Sequence, residues 1–126
     1  MKIDQGTIHN LLAQKQPKLN STHSKLCIPI IYRIYKKMGA GIRFDDIKVD
    51  ETLIIDGHHR FISSLLVDDK LDYVDSAKTS ATRIYEWSDV EFVEEDWDTQ
   101  EQIAQFNRED AAFNNISLEK LMELTR

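Results

Sequence analysis

A single cysteine, Cys27, is all that this chain of 126 residues offers for disulfide chemistry. No internal disulfide can form, which fits a reducing compartment. No apolar run approaches the roughly 20 residues that span a bilayer. The opening Met1-Lys2-Ile3-Asp4-Gln5-Gly6 also lacks the apolar stretch of a signal peptide. The expectation is a cytoplasmic protein without a membrane segment. Positive charge is short as well, since 16 Lys and Arg against 22 Asp and Glu leave a net charge of -6. Such a balance argues against non-specific binding of duplex nucleic acid, where Lys and Arg must displace phosphate counterions. The best local basic patch, Arg33-Ile34-Tyr35-Lys36-Lys37, is interleaved with apolar residues and reads as a helix with a solvated basic side. Internal repeats and low-complexity linkers are missing too.

What is present is an ordinary globular composition, 41% hydrophobic and 30% charged, at a length that suits one domain over residues 1–126. Ile8, Leu11 and Leu12 predict a short amphipathic helix from a Thr7 cap to Gln16, stopped by Pro17. A polar loop over 18–24 follows. Helical spacing returns from Ile28 to Met38, with Pro29 in the first turn, where its missing N–H costs nothing, and Gly39-Ala40-Gly41 as terminator. Ile42, Phe44, Ile47 and Val49 alternate as a strand bulged at Asp45-Asp46. It is expected to pair as a hairpin with a buried central strand over Thr52-Leu53-Ile54-Ile55. A helix over 58–66 comes next, then short strands around 71–74, 82–87 and 90–93. Two helices capped by Asp98-Thr99 and by Ser117 close the chain. The class is α+β, a small mixed sheet with flanking helices.

Chemistry concentrates in Leu53-Ile54-Ile55-Asp56-Gly57-His58-His59-Arg60-Phe61-Ile62, which reads as strand, tight turn and helix start. Gly57 lets the chain reverse with its amides exposed, and the amides of a helix N-terminus suit an anion. Arg60 adds a fork of donors. His58 and His59 are donors when protonated and suit phosphate oxygens whose charge changes during a reaction. Asp56 would repel an anion, so its presence suggests a bound cation or a proton to be removed. Each residue also has a plainer reading. Asp56 could cap the following helix, the two histidines could be exposed first-turn residues, and Arg60 could pair with Asp56 or Glu51. Neighbouring histidines project about 100° apart on a helix, which makes them a poor chelating pair.

Together with Thr22 in the preceding polar loop, the helix and the strand hairpin, Ile54-Ile55-Asp56-Gly57-His58-His59-Arg60-Phe61 resembles the ParB/sulfiredoxin-like superfamily over roughly residues 18 to 75. Within it the chain is most similar to members with the Asp-Gly-His-His-Arg signature, including free serine kinases that use a nucleotide as phosphoryl donor. The resemblance implies that Gly57, His58, His59 and Arg60 hold the phosphates of a nucleoside di- or triphosphate. Asp56 would lie by magnesium or the substrate hydroxyl, and Thr22 would reach the same pocket. On this basis Asp56, His58 and His59 are the candidate catalytic residues and Asp56 the candidate metal ligand. Phosphoryl transfer or phosphodiester hydrolysis is the implied reaction, by a phosphotransferase or a ParB-like nuclease. Departures narrow it. Sulfiredoxin-like enzymes need a cysteine where this chain has His58. ParB partition proteins have an acid there and carry a DNA-binding helix-turn-helix that this chain lacks. No Glu precedes Glu51, so the kinases' upstream catalytic glutamate would have to be replaced by Asp45, Asp46 or Glu51.

A second expectation belongs to a different class. Residues 86–98 hold Glu86, Asp89, Glu91, Glu94, Glu95, Asp96 and Asp98, a segment able to ligate a hard cation, to solvate a strand edge, or to dock a basic protein partner with Trp87 and Trp97 as anchors. The last reading describes a non-catalytic interaction module, immunity- or antitoxin-like. Cys27, among Leu26, Ile28 and Ile30, is expected to be a buried, inert thiol.

Overall fold

The computed structural model describes residues 2–126 and is α+β. Helix α1 (Gln5–Lys15) precedes strand β1 (Lys25–Cys27), which runs directly into α2 (Ile28–Gly39). Strands β2 (Ile47–Asp50) and β3 (Leu53–Asp56) lead to α3 (His58–Leu66), and β4 (Tyr73–Asp75), β5 (Glu91–Val93), α4 (Gln100–Phe113) and α5 (Leu118–Leu124) follow. A three-stranded sheet has the order β3-β2-β4, and β1 pairs with β5 in a separate parallel ladder. β2 runs antiparallel to β3 and parallel to β4.

The expected hairpin is therefore present, turning at Glu51 with φ 53°. β2 rather than β3 is central. β3 is flanked instead by Asn20, whose carbonyl accepts from the Ile54 N–H at 3.0 Å. Other expectations need correction. Asp4, not Thr7, caps α1, and the Thr7 N–H donates to the Asp4 carboxylate at 2.8 Å. Ile42 to Phe44 form no strand, because Ile42 packs with Ala111 and Leu121 in a small satellite core. The register shift falls between Lys48 and Val49, not at Asp45-Asp46. Residues 82–87 make a single bridge, Tyr85 to Ser21, before a 3-10 turn over Trp87–Asp89.

The main core gathers Ile8 and Leu12 from α1, Leu26, Ile28 and Ile31 from β1 and α2, Ile47, Val49 and Ile54 from the sheet, and Phe61 and Ile62 from α3. Each fully buried aliphatic side chain contributes about 1.5–3 kcal/mol. Trp87 completes it, stacking on Phe61 at 5.9 Å and donating its indole N–H to the Leu19 carbonyl at 2.8 Å. The basic side of α2 is not solvated as expected. Lys37, 6% exposed, pairs with Asp110 at 2.7 Å, and Arg33 clamps Asp96 and Asp98. These pairs fasten the C-terminal third of the chain to α2. Among the described residues, no helix is long and apolar enough to cross a membrane.

Candidate functional site

Strand β3 ends at Asp56, and Gly57 turns the chain into α3 with φ 100° and ψ 25°. That φ lies where L side chains are strained. A Cβ here would also stand 2.7 Å from Arg60 Nη2 and 3.2 Å from Cζ, so the guanidinium would have to swing away to admit one. The guanidinium lies back over the turn. Its Nη2 donates to the Asp46 carbonyl at 3.2 Å and stands 3.9 Å from the Asp56 carboxylate.

The histidines are not the exposed first-turn residues of the plainer reading. His58 is 2% exposed, and its Nε2 accepts the Thr22 backbone N–H at 3.1 Å. His59 Nε2 accepts the Cys27 backbone N–H at 2.9 Å. A ring nitrogen that accepts carries no proton, so each neutral imidazole holds its proton on Nδ1. Burial, with repulsion from His23 and His59, pushes His58 down to about 3. Burial, with repulsion from His23, takes His59 down to about 4. Each ring therefore offers one N–H donor at neutral pH and no charge.

Thr22 is brought to the same place, as expected. Its hydroxyl donates to the Ile54 carbonyl at 2.6 Å, and with its N–H on His58 both of its protons are taken. Thr22 positions His58. His23 stacks on His58 at 4.0 Å between centroids, and Trp97 meets His59 at 5.5 Å with the rings perpendicular. Neither contact was legible in the sequence, where His23 is one polar residue in a loop and Trp97 lies beyond the motif.

Two helix starts meet here. Neither α2 nor α3 has a side-chain cap, and the Cys27–His59 hydrogen bond ties the N-cap of one to the first turn of the other. Both dipoles present their positive ends at this junction. Among the described residues, the buried side-chain polar atoms without a hydrogen-bond partner are His58 Nδ1 and Arg60 Nε, both donors and both in this turn.

Asp56 stands at the rim with its side chain 64% exposed. Among the described residues no group of three or more His, Cys, Asp or Glu could hold a metal ion. Of the acids weighed against the missing upstream glutamate, Asp46 touches the site through its carbonyl, and Asp45 accepts the Asp46 N–H at 2.8 Å. Glu51 sits at the far end of the hairpin. A cleft of about 400 Å³, lined in part by Arg43, Phe44, Asp45, Asp46 and Lys70, is not lined by residues 56–60 and is linked to them through Asp46, whose carbonyl accepts from Arg60.

The acidic segment is partly spent within the fold. Asp96 and Asp98 bind Arg33, and Glu91 lies 3.8 Å from Lys25. Glu86, Asp89, Glu94 and Glu95 remain exposed, Trp87 is core, and Trp97 is 45% exposed. Cys27 is buried, and its thiol donates to the Glu95 carbonyl at 3.3 Å. No family model, no curated protein and no solved structure matches this chain.

Proposed function

We propose that the Gly57–Arg60 turn binds the phosphates of a nucleoside di- or triphosphate in a ParB/sulfiredoxin-like domain. One observation carries the reading. Buried donors without partners are uncommon in folded proteins because each costs about 1–3 kcal/mol, and here His58 Nδ1 and Arg60 Nε occur together in one turn. Both atoms are closed to solvent in this structure, so phosphate oxygens would satisfy them only once the turn opens. Uncapped amides at the start of α3 and the Arg60 guanidinium complete the donor set. The neutral histidines serve as N–H donors held in orientation by Thr22 and Cys27.

Phosphoryl transfer or phosphodiester hydrolysis is the reaction class this reading favours, since positioning and charge stabilisation supply most of the catalysis in phosphoryl transfer. Asp56, exposed beside the turn, is the group to receive a proton from an attacking hydroxyl or water. Magnesium would enter with the nucleotide, held mainly by its phosphates.

Titration calorimetry with ADP and ATP, with and without magnesium, tests the proposal. Wild-type protein binds, and Arg60→Ala loses binding at least 100-fold while keeping its circular dichroism spectrum. Equal binding by the variant would overturn the assignment of Arg60. The interaction-module alternative makes the opposite forecast, in which charge reversal at Glu94 and Glu95 weakens a salt-sensitive complex with a basic protein and Arg60→Ala does nothing.

A further inference from the structure

Residues 94–98 leave β5 and pass over the junction of α2 and α3 as a strap, anchored on both sides of Trp97. On one side Cys27 Sγ donates to the Glu95 carbonyl at 3.3 Å. Next to the indole, Arg33 grips both Asp96 oxygens at 2.7 and 2.9 Å and Asp98 at 3.1 Å. A bidentate guanidinium–carboxylate pair fixes orientation as well as distance. The chain on both sides of Trp97 is therefore held, and Trp97 itself is 45% exposed. Trp87 shows what this chain does with an indole used for packing, which is 8% exposed with its N–H bonded to Leu19.

The contact of Trp97 is with the proposed phosphate cradle, since its ring lies 5.5 Å from that of His59. A half-exposed indole on an anchored segment beside a phosphate site matches one ligand feature, a flat heterocycle joined to the phosphates through a sugar. We infer that Trp97, on the strap held by Arg33 and Cys27, is the platform on which the base of the bound nucleotide stacks. This rests on the phosphate reading of the Gly57–Arg60 turn. Stacking is tolerant of base identity because every base has a π-face, so Trp97 selects nucleotides over bare phosphates rather than one base over another.

Pyrophosphate and ADP separate the two readings. In calorimetry the wild type binds both, ADP the more tightly. Trp97→Ala weakens ADP by about 10- to 100-fold and leaves pyrophosphate unchanged, while Trp97→Phe, which keeps a ring, retains most of the ADP affinity. Unaltered ADP binding in Trp97→Ala overturns the inference and leaves the cradle standing. Equal loss of ADP and pyrophosphate also overturns it, because Trp97 would then only brace His59. If the wild type binds neither ligand, the cradle itself falls and the platform with it.

Discussion

The start of α3 and the start of α4 solve the same problem in opposite ways. Any helix leaves its first amides without intrahelical partners. At α4 the chain satisfies them itself: Thr99 Oγ1 accepts the Gln102 N–H at 3.2 Å, and Gln102 Oε1 accepts the Thr99 N–H at 2.8 Å. Asp4 and Ser117 do the same work for α1 and α5. At α3 a glycine stands in the cap position, and at α2 a cysteine whose side chain does not cap. The self-capped helices thus satisfy their own first turns, whereas the two uncapped starts are bonded to each other beside the only partnerless buried side-chain donors among the described residues. Where capping is withheld, donors are left for something else to meet.

Removing the glycine should break this contrast most severely. Gly57→Ala forces an L residue to φ 100° and drives a methyl against the Arg60 guanidinium, costing about 2–3 kcal/mol of stability and abolishing pyrophosphate binding. A denaturation midpoint and a binding isotherm equal to wild type would refute the close approach. Smaller, and reversible, is the effect of pH. Folding lowers the histidines from 6.5 to about 3 and about 4, so between these values the unfolded chain binds more protons. Stability is full above about pH 6.5 and falls as acid is added, by about 1.4 kcal/mol per pH unit for each ring at the steepest. Loss between pH 7 and 5 comes to about 2 kcal/mol for each ring and about 4 kcal/mol for the two, before the lowered carboxylates Asp4, Asp68 and Asp96 protonate. Chemical denaturation at several pH values measures it, and a flat profile would mean that the rings titrate normally. The smallest effect belongs to the capped partner in the comparison. Thr99→Ala costs about 1 kcal/mol with no change in ligand affinity, and a loss of affinity would show that the start of α4 is coupled to the site.

Local signals survived the step from sequence to structure better than distant ones. Pro29 and Gly39 bracket α2, and Asp56-Gly57 marks the turn, because each acts through its own φ, ψ or missing N–H. The cap of α1 was misread because Asp4 and Thr7 are both cap residues, and only the direction of one hydrogen bond separates them. β1 left no trace. Three residues long, it is defined by a partner near residue 91 rather than by periodicity. The motif's membership was legible and its electrostatics were not. The partners that orient the rings, Thr22 and Cys27, lie 36 and 32 residues away, and it is burial that keeps the rings neutral.

The thiol of Cys27 reaches the strap across 68 residues of chain. Hairpin, turn and α3 can form from one short stretch, but the strap comes to rest only after a long loop has closed, whose entropy must be overcome before its contacts give any return. The histidine rings are tied in by contacts of intermediate span, Thr22 to His58 and Cys27 to His59. The strap, joined to the same Cys27 over twice that span, closes the longest loop of the three and carries the larger entropic cost.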